Sequence, residues 1–488
     1  MSCTTILVGK KASYDGSTLM ARNEDSGHGS FEPKKFVCVL PEDQPVDYRS
    51  VRTEFAIRLP EDPLRYTAMP NADPHEGIWA EAGFNAENVA MSATETITTN
   101  PRVQGADPLV PDGIGEEDLV TCILPYIHSA REGVERLGQL LAEYGTCESN
   151  GIGFQDLDEI WWAETIGGHH FIAKRCPDDS YVVGPNQQGI DFFDFTDAFG
   201  AKKDHMCSPD LAEFIRANHL DLSMTDTPVE QQTVFAVRPA LGSHDDSDHT
   251  YNSCRAWFME RTLNPRTYRW DGPDADFTAY SDDIPWSLVP EKKITVEDIK
   301  YVLSSHYQGT DFDPYNRHAD PLKKGMFRSI GVNRVNFMEI TQLRPYVPAE
   351  IAAVSWICVA SNAFNAMAPF YANVNDTPAY LRDTGTLPTT ENFYWASRYA
   401  GALADAAYAE NSANIERYQN SMAYKGQGLI RRCDAAYLAG PGEDVRSFLE
   451  KCNQESADMA KKETYDLLGK VLYTTSMHMK NAFARSDA

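Results

Sequence analysis

The chain has 488 residues, of which 42% are hydrophobic and 24% charged, a composition typical of a large globular protein. It carries 71 acidic against 44 basic residues. The resulting net charge of -27 argues against the basic face that binding to nucleic acid or an anionic membrane requires. The first apolar run is too short for a secretory signal, and the ten cysteines stand singly, as is typical of reduced thiols. We therefore expect a cytoplasmic protein without nucleic-acid or membrane partners.

The first third of the chain is predicted to be β-rich and then helical. The segments 3–11, 17–23 and 34–40 are rich in β-branched and apolar residues, and Asp15-Gly16 indicates a turn between the first two. Further on, Ser129 and Glu132 have the spacing of a helix-capping box, and apolar residues then recur at helical intervals up to Gly145.

The remainder predicts a second β block followed by helices. Short aromatic or β-branched runs in 160–193 alternate with turn residues, which indicates three or four antiparallel strands. The segment from about 199 to 290 is rich in Asp, Pro and Gly and is predicted to cover the surface. Thr295 has capping-box spacing with Asp298, and a β-like stretch precedes Trp356.

Two β blocks separated and flanked by helices predict an α+β fold with mainly antiparallel sheets. We expect a catalytic core over residues 1–380 and a helical region over 381–488. That region is predicted to pack on the core or on a partner subunit, and we expect a homo-oligomer.

The sequence contains no Gly-x-Ser-x-Gly elbow, no phosphate-binding loop and no His-Glu-x-x-His zinc helix. The acidic stretch SHDDSDHTY (243–251) lacks the usual spacing of metal ligands, and we interpret it as a solvated loop. No cofactor is therefore expected.

The clearest chemical signal is a near-terminal cysteine. A lone cysteine in a strand is in most cases a small buried hydrophobe. Cys3, however, begins the first strand of a predicted hairpin whose second strand leads through Arg22 to Asp25. Antiparallel pairing around a loop near Tyr14 would place Cys3 roughly opposite Asp25.

This arrangement suits an N-terminal nucleophile. A free α-amino group has a pKa near 8 and can serve as general base for the thiol of the same residue. Arg22 would stabilise the thiolate or the developing oxyanion, and Asp25 would hold the amine.

Several blocks of sequence resemble one known family. The start CTTILVGKKASYDGSTLMARNED is similar to that of the dipeptidases of peptidase family C69, which are N-terminal nucleophile hydrolases related to bile salt hydrolases and penicillin V acylases. The likeness extends through 83–96, 158–190, 304–314 and YWASR (394–398). It implies a four-layer αββα fold and a thiol-dependent hydrolase acting on dipeptides.

The resemblance also implies roles for individual residues. Cys3 takes the place of the nucleophile, and Arg22 and Asp25 match the Arg-x-x-Asp of the superfamily. Asn186 resembles an oxyanion-binding asparagine, and Arg255 resembles a late arginine behind the nucleophile.

Two further residues, Thr94 and Glu95, are expected to line the substrate site. Glu95 stands where related acylases carry Asn, and our hypothesis is that its carboxylate binds the free ammonium of a dipeptide. An unchanged dipeptide turnover in Glu95→Gln would contradict it.

The start of the chain departs from the family pattern. Removal of Met1 alone would leave Ser2 in front of Cys3, so Ser2 must also be removed, and autocatalytic cleavage by Cys3 would achieve this.

The sequence thus predicts a cytoplasmic cysteine dipeptidase of broad specificity that forms an acyl-enzyme. Two alternatives remain open at this point: an amide acylase of the bile salt or penicillin V type, and a non-catalytic interaction protein with the same fold.

Overall fold

Two antiparallel sheets lie at the centre of the computed structural model, which describes residues 2–27 and 29–481 apart from the side chains of Ser2, Thr94 and Glu95. The strands are β1 (Ser2–Val8), β2 (Thr18–Asp25), β3 (Val37–Val39), β4 (Asp47–Arg49), β5 (Ala56–Arg58), β6 (Tyr66–Ala68), β7 (Ala82–Phe84), β8 (Ala90–Thr96), β9 (Asn150–Gln155), β10 (Ile160–Ile166), β11 (His170–Arg175), β12 (Tyr181–Gly184), β13 (Phe192–Phe193), β14 (His205–Cys207), β15 (Phe235–Ala236), β16 (Ser287–Leu288), β17 (Val335–Leu343), β18 (Ala353–Val359) and β19 (Ala368–Tyr371).

The α-helices cover the outer faces of the sheets. They are α1 (Pro101–Ala106), α2 (Glu116–Ile123), α3 (Ala130–Tyr144), α4 (Phe195–Ala198), α5 (Leu211–Ala217), α6 (Val237–Leu241), α7 (Asp246–Tyr251), α8 (Ser253–Leu263), α9 (Val296–Leu303), α10 (Ala379–Arg382), α11 (Phe393–Ala406), α12 (Tyr408–Leu438) and α13 (Val445–Ser476).

The sheets and helices form four layers. One sheet has the strand order β16-β12-β1-β2-β17-β18-β19, and the other has the order β14-β11-β10-β9-β8-β7. Strands β1 and β2 contact β8 and β9 across the interface, α8 and α9 cover the outside of the first sheet, and α2 and α3 cover the second. The predicted α+β class and its αββα layering are confirmed.

Strand alternation assigns the two faces of the β1–β2 hairpin. Leu7 and Met20 pack with Trp162 of the other sheet, whereas Ile6 and Ala21 pack with residues of α8 and α9. Because successive side chains of a strand point to opposite faces, Cys3, Arg22 and Glu24 face the second sheet. Thr4, Asn23 and Asp25 face the helices.

Two predicted helix starts are confirmed by their caps. The Ser129 hydroxyl accepts a hydrogen bond from Glu132 N at 3.2 Å at the start of α3. Thr295 and Asp298 form a reciprocal capping box at the start of α9. These local pairs satisfy backbone N–H groups that would otherwise lack partners.

The prediction that the segment 199–290 covers the surface is wrong for its central part. Helix α8 is buried along most of its length, and Arg255 within it is fully buried. The Asp-rich and Gly-rich composition reflects the exposed turns on either side and masks the core helix between them.

The C-terminal helices pack on this chain's own sheet. Helices α12 and α13 lie against β19, and α11 contacts both α13 and β18. The division of the chain near residue 380 stays a prediction. Across the part of the chain that is described, each helix is too short or too polar to cross a membrane.

Gly426 marks the closest approach of α12 to the sheet, and it generates a prediction. A Cβ at this position would lie 3.0 Å from Pro369 Cδ and 3.2 Å from a ring carbon of Trp356. We expect Gly426→Leu to reduce the free energy of unfolding by about 1–3 kcal/mol, because the helix must move off the sheet.

Gly428 provides the matched control on the same helix. A Cβ there meets no described heavy atom within 4 Å, so Gly428→Leu should preserve or slightly raise stability, since leucine favours helix over glycine. Urea unfolding of both variants measures the difference. Equal loss in the two would show that α12 does not dock as described.

Candidate active site

Each polar atom of Cys3 has a dedicated partner. Its backbone N–H donates to Asn186 Oδ1 at 3.2 Å, and its carbonyl oxygen accepts from Arg255 Nη1. Its sulfur lies 3.2 Å from Arg22 Nη2. Cys3 is completely buried, and a cysteine that served only as a core hydrophobe would not need a guanidinium at its sulfur.

Arg22 extends from β2 towards the second sheet and is itself held by carboxylates. Its Nη2 lies 2.5 Å from Glu81 Oε2 and 3.3 Å from Glu116 Oε1. Its Nη1 donates to the carbonyl oxygens of Ala93 and Glu81. The guanidinium is therefore fixed in position with one edge at the Cys3 sulfur, where a cation stabilises the thiolate.

A second buried cation extends this network. Lys34 Nζ lies 3.5 Å from Glu24 Oε2 and 3.6 Å from Glu81 Oε1. We call Arg22, Glu24, Lys34, Glu81 and Glu116 the inner charge cluster. All five side chains are almost fully shielded from solvent.

Burial shifts the proton affinities in this cluster. Burial alone lowers the pKa of Arg22, but the charges of Cys3 and Glu81 outweigh it and hold the pKa well above its ordinary value. Burial raises the pKa of Glu81 and of Glu24, and the opposing cations only partly offset it. Arg22 therefore stays charged, while Glu24 and Glu81 hold their protons more tightly than exposed carboxyls do.

Arg255 holds Cys3 from the other face of the sheet. Its five N–H groups donate to five oxygens, namely Tyr251 O at 2.7 Å, Cys3 O, Thr4 Oγ1 at 2.6 Å, Asn186 Oδ1 at 2.8 Å and Asn252 Oδ1 at 2.7 Å. A guanidinium has five donors in a rigid fork, so this set fixes strand β1 against the α7–α8 corner.

Asn186 follows β12 and links these groups to an open cavity. Its Oδ1 accepts from both Cys3 N and Arg255 Nη2, and its Nδ2 donates to Thr96 O at 3.0 Å. Asn252 donates to the Asn186 carbonyl at 3.1 Å. Hydrogen bonds to its side-chain oxygen, from its side-chain nitrogen and to its backbone carbonyl therefore fix the orientation of Asn186.

The predicted pairing of Cys3 with Asp25 is wrong by one residue. Ser2 lies opposite Asp25, and Cys3 lies opposite Glu24. Because of this register, Asp25 faces the helices, where it forms an ion pair with Arg328. Its Oδ1 has no hydrogen-bond partner among the described residues, and burial raises its pKa despite Arg328.

Thr94 and Glu95 were predicted to line the site, but their side chains lie outside the described part of the structure. Their backbone belongs to β8, whose pairing with β9 is shifted by a bulge between Ala93 and Glu95. Bulges occur often beside active sites because they redirect side chains. The proposed role of Glu95 stays a prediction.

The acidic stretch 243–251 was interpreted as a solvated loop, and this interpretation is wrong in part. It contains helix α7, and six of its residues line a surface cavity of about 530 Å³ that also contacts Asn186 and Thr96. Asp248 accepts hydrogen bonds from Asn252 at 2.5 Å and from Ser243 at 3.1 Å. The stretch therefore supports the Asn252–Asn186 pair.

Sequence reasoning brought together Cys3, Arg22, Asn186 and Arg255 but missed several partners. Glu81 and Glu116 lie outside the motifs, at the edges of β7 and α2. Glu24 was recoverable, because it shares the face of Arg22 at a spacing of two. Over the described residues, no group of three or more His, Cys, Asp or Glu side chains is arranged to hold a metal ion.

Comparison with known proteins gives the family. The model for peptidase family C69 matches residues 2–421. The chain belongs to this family. The "Dipeptidase" of Bifidobacterium longum is 53% identical over the full length of both chains. A "Probable dipeptidase A" of Streptococcus pyogenes is 50% identical, covering all of this chain and 98% of the relative.

Among solved structures, the penicillin V acylase of Agrobacterium tumefaciens aligns with a TM-score of 0.32 and 12% identity, covering 78% of this chain and 89% of that one. The relatives of family C69 confirm the predicted family and the predicted enzyme class, a peptidase.

A buried carboxyl beside the site generates a pH prediction. Glu339 of β17 lies opposite Arg22 in the sheet. It accepts a hydrogen bond from Ser355 at 2.5 Å, while its other oxygen lacks a partner among described residues. Burial raises its pKa to about 7.

An acid with a raised pKa stabilises the fold at pH values below its unfolded pKa and loses that contribution as the pH rises through its folded pKa. We expect Glu339→Gln to be more stable than wild type at pH 8.5, by up to about 3 kcal/mol, and nearly equal at pH 4.5. Urea unfolding at both pH values tests this, with the exposed Glu87→Gln as control. A stability difference independent of pH would contradict it.

Proposed function

We propose that this chain is a dipeptidase of broad specificity in which Cys3 is the nucleophile. The observation that carries the proposal is the set of three polar contacts at Cys3, to Asn186, Arg255 and Arg22. The names of the family C69 relatives support the dipeptide as substrate.

The mechanism requires a free amino group on Cys3. Removal of Met1 and Ser2, by Cys3 itself, would convert the backbone N–H that now donates to Asn186 into an α-amine. Asn186 Oδ1 already accepts from this nitrogen at 3.2 Å, so the amine would be oriented as soon as it forms. Asp25, with one buried oxygen available, would hold the protonated amine.

Hydrolysis then proceeds in two steps. The Cys3 thiolate attacks the scissile carbonyl carbon, and the oxyanion is bound by Asn186 Nδ2 and neighbouring backbone N–H groups. The intermediate collapses to a thioester as the α-ammonium protonates the departing amine. The α-amine next takes a proton from water, the hydroxide attacks the thioester, and the first amino acid leaves with regeneration of the thiolate.

The open cavity beside Asn186 is the proposed substrate entrance. It is lined largely by small polar side chains from 243–252 and by Thr96 and Thr98. Such a lining fits backbone groups of a short peptide better than a large apolar acyl group, and it favours a dipeptide over the acylase substrates. We expect no metal or organic cofactor in this reaction.

Replacing the nucleophile tests the proposal directly. We expect Cys3→Ala to lose dipeptide hydrolysis by about six orders of magnitude, as on removal of another catalytic nucleophile, and to retain Ser2 at its amino terminus. Wild-type protein should begin at Cys3. Intact mass and amino-terminal sequencing measure the processing, and a dipeptide panel beside glycocholate and penicillin V measures the activity.

Cys358→Ala is the matched control, because Cys358 is also a fully buried strand cysteine. It should keep processing and activity. Wild-type protein that hydrolyses dipeptides while retaining Ser2 would refute the tethered base, and turnover confined to glycocholate or penicillin V would favour the acylase.

Asn186→Asp separates oxyanion binding from the orientation of Cys3. The substitution preserves an oxygen for Cys3 N and Arg255 but replaces the Nδ2 donor by an acceptor. We expect kcat to fall by about 10²- to 10³-fold with little change in KM, and thermal stability to fall slightly because the hydrogen bond from Nδ2 to Thr96 O is lost. Steady-state kinetics on the same dipeptides, with protein shown to begin at Cys3, would measure it. An unchanged kcat would remove Asn186 from the oxyanion site.

A further inference from the structure

A second cavity of about 490 Å³ lies between α9 and α12, and its lining residues are all different from those named at the Cys3 site. The block 304–314, which the proposed mechanism does not use, supplies Ser304, His306 and Gln308 to its wall. One of the lining residues is a buried cation, Lys300, and its surroundings indicate which kind of ligand the cavity binds.

Lys300 lines the cavity and is only 9% exposed. Its ammonium donates to Ser304 Oγ at 2.7 Å and to Asn362 O at 2.9 Å, both neutral oxygens. Within the described residues, no carboxylate lies at ion-pair distance from it. Burying an ammonium without an anion is costly, and an ammonium has three donors. One N–H and the full charge therefore remain for a ligand.

Two acidic side chains in the cavity wall indicate which charge the other end of that ligand carries. Glu297 and Glu416 line the same cavity, and neither forms an ion pair with a described cation. Among the described residues, Glu297 accepts a side-chain hydrogen bond from the Gln427 amide alone, at 3.0 Å. A ligand with both a carboxylate and an ammonium would satisfy the two charges together.

Apolar side chains form another part of the lining. Ala363, Ala366, Met367, Ile415 and Ala423 line the cavity. One wall is rigid, because Asp313 accepts from His306 Nδ1 at 2.9 Å and the Tyr408 hydroxyl binds His306 Nε2 at 3.1 Å. The volume accommodates an amino acid with an apolar side chain.

The cavity lies on the helix-covered side of the sheet that carries Cys3. Asn362, whose carbonyl accepts from Lys300, also donates through its side chain to Asn23 Oδ1 at 2.9 Å. Asn23 faces the helices, whereas the neighbouring Arg22 faces the Cys3 sulfur. The two sites thus lie on opposite faces of β2.

We propose that this cavity binds a free α-amino acid with an apolar side chain, its carboxylate on Lys300 and its ammonium on Glu416 or Glu297. This binding site is distinct from the active site. Free amino acids would also be products of the proposed reaction, so the test must separate the two sites.

The experiment is isothermal titration of L-leucine into wild-type protein and three variants. Lys300→Met removes the cation, and Ala423→Leu fills the cavity without touching Lys300. Ala413→Leu is the matched control, because Ala413 is exposed on the same helix. Thermal unfolding and dipeptide hydrolysis confirm that each variant is folded.

We expect L-leucine to bind wild type and Ala413→Leu equally, and Lys300→Met and Ala423→Leu at least tenfold more weakly. Leucinamide, which lacks the carboxylate, and 4-methylpentanoate, which lacks the ammonium, should each bind wild type at least tenfold more weakly than L-leucine. Equal binding to all four proteins would place the ligand at the active site and overturn the proposal. Absence of binding to wild type, or equal binding of 4-methylpentanoate, would overturn it as well.

Discussion

The buried guanidinium of Arg255 is the constraint on which the arrangement around Cys3 depends. Its donors join strand β1, the segment after β12 and the corner between α7 and α8. These elements are far apart in sequence, and a flexible lysine with three donors could not hold them in one geometry. Because Arg255 also orients Asn186, it positions the backbone of Cys3 on two sides. Helix α8, which the composition of its segment does not reveal, therefore fixes the position of the amino-terminal end of β1.

The two faces of the β1–β2 hairpin hold different parts of the site. On one face, the inner charge cluster contacts the Cys3 sulfur through Arg22, and its acids hold Arg22 in place. The helix-covered face holds Arg255, which binds the carbonyl of Cys3, and the ion pair of Arg328 with Asp25, which lies opposite Ser2. Burying so many charges reduces stability, as the raised pKa values of Glu24 and Glu81 indicate. Such a cost is typical of functional sites, where groups are arranged for chemistry rather than for maximal stability.

The sequence was sufficient to predict those features that depend on residues close together in the chain. The first hairpin, the Ser129 and Thr295 caps and the α+β layering follow from patterns within a few residues of one another. The predicted pairing of β1 with β2 was wrong by one residue, because the loop between these strands is irregular. A shift of one residue moves each side chain of a strand to the opposite face of the sheet. Glu81, Glu116, Lys34 and Arg328 were missed because each reaches the site only through tertiary packing, and nothing in its neighbourhood indicates a partner far along the chain.

The geometry also bears on how a buried cysteine can become a nucleophile at the amino terminus. Cys3 is already held by Asn186, Arg255 and Arg22 while Ser2 still extends the strand opposite Asp25. On the proposed mechanism, cleavage before Cys3 changes an amide into an amine without moving any of these partners. The groups that catalysis requires are then brought into position during folding and need not move afterwards. On that mechanism the site would be assembled before cleavage, since the groups that orient the amine would first orient the amide it replaces.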